Sequence, residues 1–268
     1  MNDYVHGYSK RETVRLTEQS AILETLLHSD TRYPEGCKVL EAGCGVGAQT
    51  RILARRNPGT HITSIDISLS QLASAKASIP QAERTNVAFE QMDVMELTFD
   101  EASFDHIFIC FVLEHLPDPH RALCGLKKVL KPGGTLTAIE GDHGSCFWHP
   151  QTPESKQAWQ CLIDSQAMLG HDSLIGRRLY PLLRDAGFEV NQVVPKWVYT
   201  DANDPALMDG VLNQIIVPMT KTAKVQSLQQ GLIDEATFDK GIGDLEASGT
   251  PPNGTFFYTW FKAVATKP

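Results

Sequence analysis

The sequence predicts an α/β fold built on a doubly wound, parallel sheet. In the first half of the chain, short apolar segments typical of buried strands alternate with segments of helical periodicity. A glycine-rich turn, Gly43–Gly47, joins the first predicted strand to the first predicted helix. The chain has 268 residues, 42% of them hydrophobic and 21% charged, which is enough for one large α/β domain with an ordinary buried core.

The N-terminal residues are predicted to form an amphipathic helix over residues 9–28. Apolar residues recur there at helical spacing, and Ser9 with Glu12 forms a capping box at the start. We expect residues 1–30 to act as a helical arm or lid. The core of the domain is expected to follow over residues 31–145.

The elements of this core follow from the order of its apolar segments. Strands and helices alternate along the chain, and that order favours parallel pairing with helices on both faces of the sheet. The predicted strands are 38–42, 61–66, 87–91, 104–112 and 135–140, and the predicted helices are 48–57, 70–79 and 119–130.

The second half of the chain breaks this alternation. Residues 141–153 are rich in Gly, His, Trp and Pro and have no periodicity, which predicts a long loop. Residues 146–268 are expected to complete the same domain with helical elements that cover a substrate and with the last two strands. The predicted helices are 154–169, 173–186, 205–224 and 234–247, and the predicted strands are 189–200 and 255–266.

Composition and charge narrow the class of function. With 24 basic and 32 acidic residues the formal charge is −8, so the overall field repels nucleic acid. The longest apolar run, Ile107 to Leu113, is far too short to span a bilayer, and the N-terminus lacks the apolar stretch of a signal peptide. The six cysteines show no C-x-x-C spacing. We therefore expect a cytoplasmic protein with reduced thiols that does not bind nucleic acid.

The chemistry is carried by the segment Glu41-Ala-Gly43-Cys44-Gly45-Val-Gly47. Glycines at a strand-to-helix turn let a polar ligand approach bare backbone N–H groups and a helix N-terminus. A dinucleotide site would space its glycines as G-x-G-x-x-G, whereas an acid followed by G-x-G-x-G resembles the class I S-adenosylmethionine (SAM) dependent methyltransferases.

Four further segments, in the same order along the chain, share this resemblance. Asp66 ends the second predicted strand, 23 residues after Gly43, and Asp93 follows the third. Residues 104–117 resemble the family's fourth strand and its following loop, and residues 131–135 resemble the turn into its fifth. The outline is most similar to the small-molecule branch, which includes the ubiquinone, menaquinone and natural-product methyltransferases.

The resemblance implies a Rossmann-like fold with a seven-stranded mixed sheet and SAM bound across the carboxyl ends of the strands. It implies that Glu41 helps to hold the methionine ammonium, that Asp66 binds the ribose, and that the Phe111 carbonyl accepts a hydrogen bond from the ammonium. The full set of implied cofactor residues is Glu41, Gly43, Cys44, Gly45, Gly47, Asp66, Ile67, Asp93, Val94 and Phe111.

Methyl transfer needs a general base only when the acceptor atom starts protonated. The candidate bases are His115, His143 and Glu140, near the ends of the fourth and fifth predicted strands. We expect substrate or lid contacts from Tyr8, Arg15 and Trp148. No ligand spacing is diagnostic of a metal, so none is predicted, although Asp142, His143 and His149 could converge.

Two other readings of the same residues stay open. The chain could bind SAM or S-adenosylhomocysteine without turnover, or it could use another nucleoside cofactor, such as NAD, on the same sheet. The acceptor molecule, the atom that is methylated and the oligomeric state do not follow from these patterns.

Overall fold

The structure is a computed structural model that describes residues 23–250 and 252–268. The described residues divide into two compact units. The first, here the core unit, comprises Glu24–Gly141, Ile175–Lys196 and Trp260–Pro268. The second, here the helical unit, comprises Asp142–Leu174 and Trp197–Thr259 together with Leu23. The division at residues 30 and 145 that the sequence favours remains a prediction.

The strands of the described residues form an eight-stranded sheet of order β3-β2-β1-β4-β5-β8-β6, with β7 also paired to β8. Strands β1 to β5 pair in parallel, and β8 runs antiparallel to β5 and β6. The α/β class and the mixed sheet are therefore confirmed. The strands are β1 Lys38–Ala42, β2 His61–Asp66, β3 Val87–Gln91, β4 Phe104–Cys110, β5 Leu130–Gly141, β6 Phe147–His149, β7 Glu189–Asp201 and β8 Thr255–Thr266.

Helix starts follow the capping residues in the sequence. Asp118 accepts a hydrogen bond from the Arg121 N–H at the start of α3, and Thr152 and Ser155 form a reciprocal capping box at the start of α4. The helices are α1 Ala48–Arg56, α2 Leu69–Ser78, α3 Pro119–Val129, α4 Pro153–Met168, α5 Leu179–Asp185, α6 Pro205–Met208, α7 Val217–Thr222, α8 Lys224–Gln229 and α9 Glu235–Ala247.

Of the predicted helix 9–28, residues 9–22 lie outside the described residues, and residues 23–28 are helical. Four segments differ from the sequence-based expectation. The predicted helix 173–186 is a 3-10 turn over Ile175–Arg178 and an α-helix over Leu179–Asp185. The predicted loop 141–153 contains the short strand β6. The sheet therefore has eight strands, one more than the seven that were predicted. Strand β4 ends at Cys110 because Phe111 has a left-handed backbone, with φ of 58°. The predicted helix 205–224 contains a π-helical stretch, Asp209–Ile216, and Pro218 lies in the first turn of the helix that follows it.

Apolar side chains from the sheet and its helices form the centre of the core unit. Leu40 of β1, Ile107 of β4 and Leu136 of β5 are fully buried and pack in one cluster with Leu123 and Leu126 of α3. Parallel strands covered on both faces need such continuous apolar runs. This packing holds the carboxyl ends of β1, β2, β4 and β5 at one edge of the sheet, which is where the candidate site lies.

Candidate active site

The loop Gly43–Gly47, here the glycine loop, connects β1 to α1. The N–H groups of Gly43 and Cys44 both donate to the Ile65 carbonyl at 2.9 Å, which ties the loop to β2. Gly43, Gly45 and Gly47 have φ of 75°, 51° and 82°, a left-handed backbone that other residues rarely adopt. No atom lies within 4 Å of the position that a Cβ on Gly45 would take, so the loop is open at this residue.

Asp66, the last residue of β2, contacts this loop. Its Oδ2 accepts a hydrogen bond from Gly45 N–H at 2.8 Å, and its Oδ1 accepts one from Ser68 N–H at 2.9 Å. Burial raises the pKa of the Asp66 carboxyl, and the two backbone donors oppose that rise. Each carboxylate oxygen has a second lone pair, so Asp66 can also accept hydrogen bonds from the two hydroxyls of a ribose.

Glu41 lies beneath the glycine loop and is 2% exposed. Its Oε2 accepts hydrogen bonds from Thr50 Oγ1 at 2.7 Å and from Ser64 Oγ at 2.6 Å. Its Oε1 is buried and has no hydrogen-bond partner. Burial raises the pKa of Glu41 to about 7, although both hydroxyl donors lower it. A buried carboxylate oxygen without a partner costs free energy, so a cationic group nearby would stabilise it.

These features fit an adenosine that carries an ammonium group. The open space over Gly45 admits the ligand, Asp66 offers acceptors for the ribose, and the unpartnered Glu41 oxygen offers a negative charge for the ammonium. Ile67, directly after β2, is 58% exposed, and an exposed apolar side chain at this position can pack on the face of a purine ring.

Asp93 and Val94, after β3, have structural roles in addition to the predicted ones. Asp93 Oδ1 accepts a hydrogen bond from Met95 N–H at 2.8 Å and so caps the turn. Val94 is 8% exposed and packs in the apolar cluster of the core unit. Their predicted contacts with adenine remain predictions.

The residues Phe111–Leu113, here the post-β4 segment, follow β4. Phe111 N–H donates to the Ile139 carbonyl at 2.9 Å, which extends the pairing with β5 by one residue. The next residue, Val112, packs directly against the glycine loop, since a Cβ on Gly43 would overlap with Val112 Cγ2. The predicted contact between the Phe111 carbonyl and an ammonium remains a prediction.

Glu140, one of the candidate bases, is fully buried near the end of β5. Its Oε1 accepts hydrogen bonds from Val112 N–H at 3.1 Å and Leu113 N–H at 2.8 Å, and its Oε2 is buried without a partner. Burial, with the nearby Glu114 carboxylate, raises the pKa of Glu140 well above its ordinary value. The N–H donors of Leu113 and Val112 oppose that rise. The predicted role of Glu140 as a base remains a prediction.

His115, the second candidate base, lies in a single 3-10 turn with Glu114. Its Nε2 lies 3.2 Å from Glu114 Oε1, and 18% of its side chain is exposed. The Glu114 carboxylate can therefore orient the His115 ring, and the predicted role of His115 as a base remains a prediction.

His143 and Trp148 belong to the helical unit and are buried there. His143 Nδ1 lies 2.7 Å from the Tyr258 hydroxyl, and the His143 ring contacts Trp159. Trp148 is 5% exposed, donates from Nε1 to Ser155 Oγ at 3.3 Å and packs edge-on against Trp159. Through these contacts both residues form part of an aromatic core. Their predicted roles in catalysis and substrate binding remain predictions.

Tyr8 and Arg15, the other predicted substrate contacts, lie outside the described residues. Within residues 23–250 and 252–268, no group of three or more His, Cys, Asp or Glu side chains is arranged to hold a metal ion. In that same part of the chain, no helix combines the length and apolar character needed to cross a membrane.

Sequence reasoning missed three residues that shape the site. Thr50 and Ser64 hold Glu41, and Val112 covers Gly43. These three have no distinguishing sequence signal, since a hydroxyl or valine in a buried element is common.

Comparison with known families agrees with this geometry. Residues 40–138 match the family described as methyltransferase domain. Over these residues, about a third of its length, the chain is similar to that family. The match runs from within β1 to within β5 and includes Glu41, the glycine loop, Asp66 and the post-β4 segment, but not Glu140. The Rossmann-like methyltransferase fold that the sequence predicts is thus confirmed.

Two curated relatives match part of this chain. An uncharacterized protein of Synechococcus is 41% identical over 103 residues, which are 37% of this chain and 24% of that protein. A demethylmenaquinone methyltransferase of Staphylococcus aureus is 33% identical over 134 residues, 50% of this chain and 55% of that enzyme. The chain thus spans about half, or less, of the length of these relatives.

Solved structures share the fold over nearly the whole chain. A Bacillus halodurans protein described as a methyltransferase has a TM-score of 0.60 at 16% identity and covers 93% of this chain and 98% of its own. A phosphoethanolamine N-methyltransferase of Haemonchus contortus, solved with S-adenosylhomocysteine, has a TM-score of 0.55 at 19% identity. The match covers 94% of this chain and 53% of that enzyme. The [4+2]-cyclase SpnF has a TM-score of 0.54 at 21% identity, and the match covers 99% of this chain and 85% of that protein.

Proposed function

We propose that the core unit binds SAM at the carboxyl ends of β1, β2 and β4, and that the chain transfers its methyl group to a small-molecule acceptor. The observation that carries this proposal is the contact between Asp66 and Gly45, which joins a ribose-binding carboxylate to an open glycine loop. The matched relatives and solved structures that act as methyltransferases support the same chemistry.

When bound, SAM supplies a methyl group on a positively charged sulfur. Asp66 accepts hydrogen bonds from the ribose, and Glu41 places a negative charge beneath the glycine loop. His115 is our candidate base among the three, because its imidazole is 18% exposed and Glu114 Oε1, 3.2 Å from Nε2, can orient the ring. Most of the rate enhancement comes from holding the acceptor in line with the methyl group.

The first test is calorimetric titration with S-adenosylhomocysteine, with NADH as the control ligand. We expect binding of S-adenosylhomocysteine alone, and a Kd that rises roughly tenfold to hundredfold in Asp66→Asn, which weakens the charge-assisted hydrogen bonds to the ribose. A folded protein that binds NADH instead, or neither ligand, would overturn the proposal.

Asp105→Asn is the matched control for this variant. Asp105 lies at the opposite end of the strands, where its carboxylate accepts hydrogen bonds from Lys38 N–H at 2.9 Å and Lys131 Nζ at 2.6 Å. It therefore loses the same chemical group from a similar set of partners, away from the site. We expect its Kd for S-adenosylhomocysteine to match that of the wild type.

A second candidate function is binding of SAM without methyl transfer. It is favoured by one observation, the similarity of the whole chain to a [4+2]-cyclase. Incubation with methyl-labelled SAM and a panel of small quinols, phenols and amines distinguishes the two functions. Label transfer that falls in His115→Ala supports methyl transfer, whereas binding without any label transfer supports the second candidate.

A further inference from the structure

The backbone of the post-β4 segment is held in a conformation that its own sequence does not favour. Phe111 has φ of 58°, and Val112 follows with φ of −121° and ψ of −44°. A left-handed backbone costs a residue with a Cβ about 1–2 kcal/mol. Such a conformation persists only where the surrounding structure holds it.

Glu140 supplies that restraint. Strand β5 pairs in parallel with β4, and the pair Cys110 and Ile139 places Glu140 beside the end of β4. From there its single oxygen Oε1 accepts hydrogen bonds from two successive N–H groups, those of Val112 and Leu113. Because Glu140 is fully buried, water cannot replace either bond at low cost.

The restraint extends from this segment to the glycine loop. Val112 Cγ2 occupies the space that a side chain at Gly43 would need, so the two segments are in direct van der Waals contact. A shift of Val112 away from Gly43 would leave a gap beneath the loop, and close-packed interiors tolerate such gaps poorly. The position of Glu140 Oε1 thus determines where Val112 lies, and Val112 supports Gly43.

We propose that Glu140 is a positioning residue, not a base, and that its carboxyl oxygen holds Val112 against Gly43 so that the glycine loop keeps its ligand-binding conformation. The part of this inference that concerns the ligand rests on the proposed function. The role needs an acceptor oxygen and no negative charge, because both partners are backbone N–H groups.

The test compares Glu140→Gln with Glu140→Leu. Glutamine keeps an acceptor oxygen at the same position, whereas leucine removes it at similar volume. Two quantities are measured on each folded variant: amide hydrogen exchange over residues 111–114 and 43–47, and the Kd for S-adenosylhomocysteine. Glu101→Leu, at an exposed turn of the core unit, is the control for the substitution itself.

We expect Glu140→Leu to exchange faster in both segments and to bind S-adenosylhomocysteine roughly tenfold to hundredfold more weakly. Glu140→Gln should differ from the wild type by less than about threefold, since an amide oxygen accepts the same two bonds. If Glu140 acted only as a base, neither substitution would change the exchange or the Kd for S-adenosylhomocysteine, because neither quantity depends on proton transfer.

Three results would overturn the inference: unchanged exchange over residues 111–114 in Glu140→Leu, faster exchange there with residues 43–47 unaffected, or Glu140→Gln as impaired as Glu140→Leu. If the wild type does not bind S-adenosylhomocysteine, the proposed function fails. The exchange data still decide the inference in that case, because they report whether Glu140 holds the two segments.

Discussion

The glycine loop and the post-β4 segment both follow a parallel strand and both turn through a left-handed backbone, but they reach it in different ways. The glycine loop uses residues without a Cβ, for which this conformation costs little. The post-β4 segment places a phenylalanine there and relies on a carboxyl group from a neighbouring strand. One turn is specified locally, and the other depends on a contact between residues 28 positions apart.

The largest expected effect tests the glycine loop, the turn that is specified by its own residues. Gly43→Ala should lower the free energy of unfolding by roughly 2–5 kcal/mol, because the left-handed backbone adds about 1–2 kcal/mol and overlap with Val112 about 1–3 kcal/mol. Urea unfolding measures the change. Gly133→Ala is the control, since Gly133 also has φ of 75° but no atom near its missing Cβ.

In a Val112→Ala background, Gly43→Ala should cost only the backbone contribution, as Gly133→Ala does. If Gly43→Ala lowers the free energy of unfolding equally in both backgrounds, Val112 does not crowd a side chain at position 43. The proposed contact between the two segments would then be contradicted.

The next effect concerns the buried carboxyl beneath the glycine loop. Glu41 has a pKa of about 7 in the folded protein and an ordinary value of 4.5, so the unfolded chain releases this proton first as pH rises. Stability from this group is therefore lost between about pH 4.5 and 7, by roughly 3 kcal/mol. Glu41→Gln keeps an acceptor for Thr50 and Ser64 but has no proton to lose.

We expect the stability of Glu41→Gln to rise relative to the wild type across this pH range, measured by urea unfolding at several pH values. The pKa of His28 falls to about 4 in the folded protein, because the residue is buried, and this gives the wild type an opposite trend between about pH 4 and 6.5. That trend is common to both proteins and cancels in their difference. A difference that stays constant with pH would contradict the raised pKa of Glu41.

The smallest expected effect tests the post-β4 segment. Phe111→Gly should change the free energy of unfolding by about 1 kcal/mol or less, because relief of the left-handed backbone offsets the loss of a half-buried side chain. Phe89→Gly, which removes a half-buried phenylalanine from strand β3, should cost roughly 2 kcal/mol. If the two variants lose equal stability, Phe111 stores no backbone strain.

Much of the fold could be predicted because its signals are local. Alternating apolar segments marked β1 to β5, and Thr152 with Pro153 marked the start of α4. The π-helical stretch Asp209–Ile216 could not be read from periodicity, because its side-chain pattern resembles that of an α-helix. Strand β6 was missed because three residues are too few for a period.

The residues of the candidate site also fall into those with a local sequence signal and those without one. The glycine spacing and the acids Glu41 and Asp66 were visible because each lies at a strand end that the sequence itself marks. The partners of Glu41 and the role of Glu140 were not visible, because each depends on which residues of separate strands and helices meet.

By itself the sequence determined the strand order along the chain, the open glycine loop and the acids that border it, because glycine conformation and apolar periodicity act over a few residues. Only the tertiary structure decided that Glu140 accepts hydrogen bonds from the post-β4 segment and that His143 packs in an aromatic core. A glutamate or histidine has the same local preferences in either role. Burial and the partners that neighbouring strands supply determine what each does.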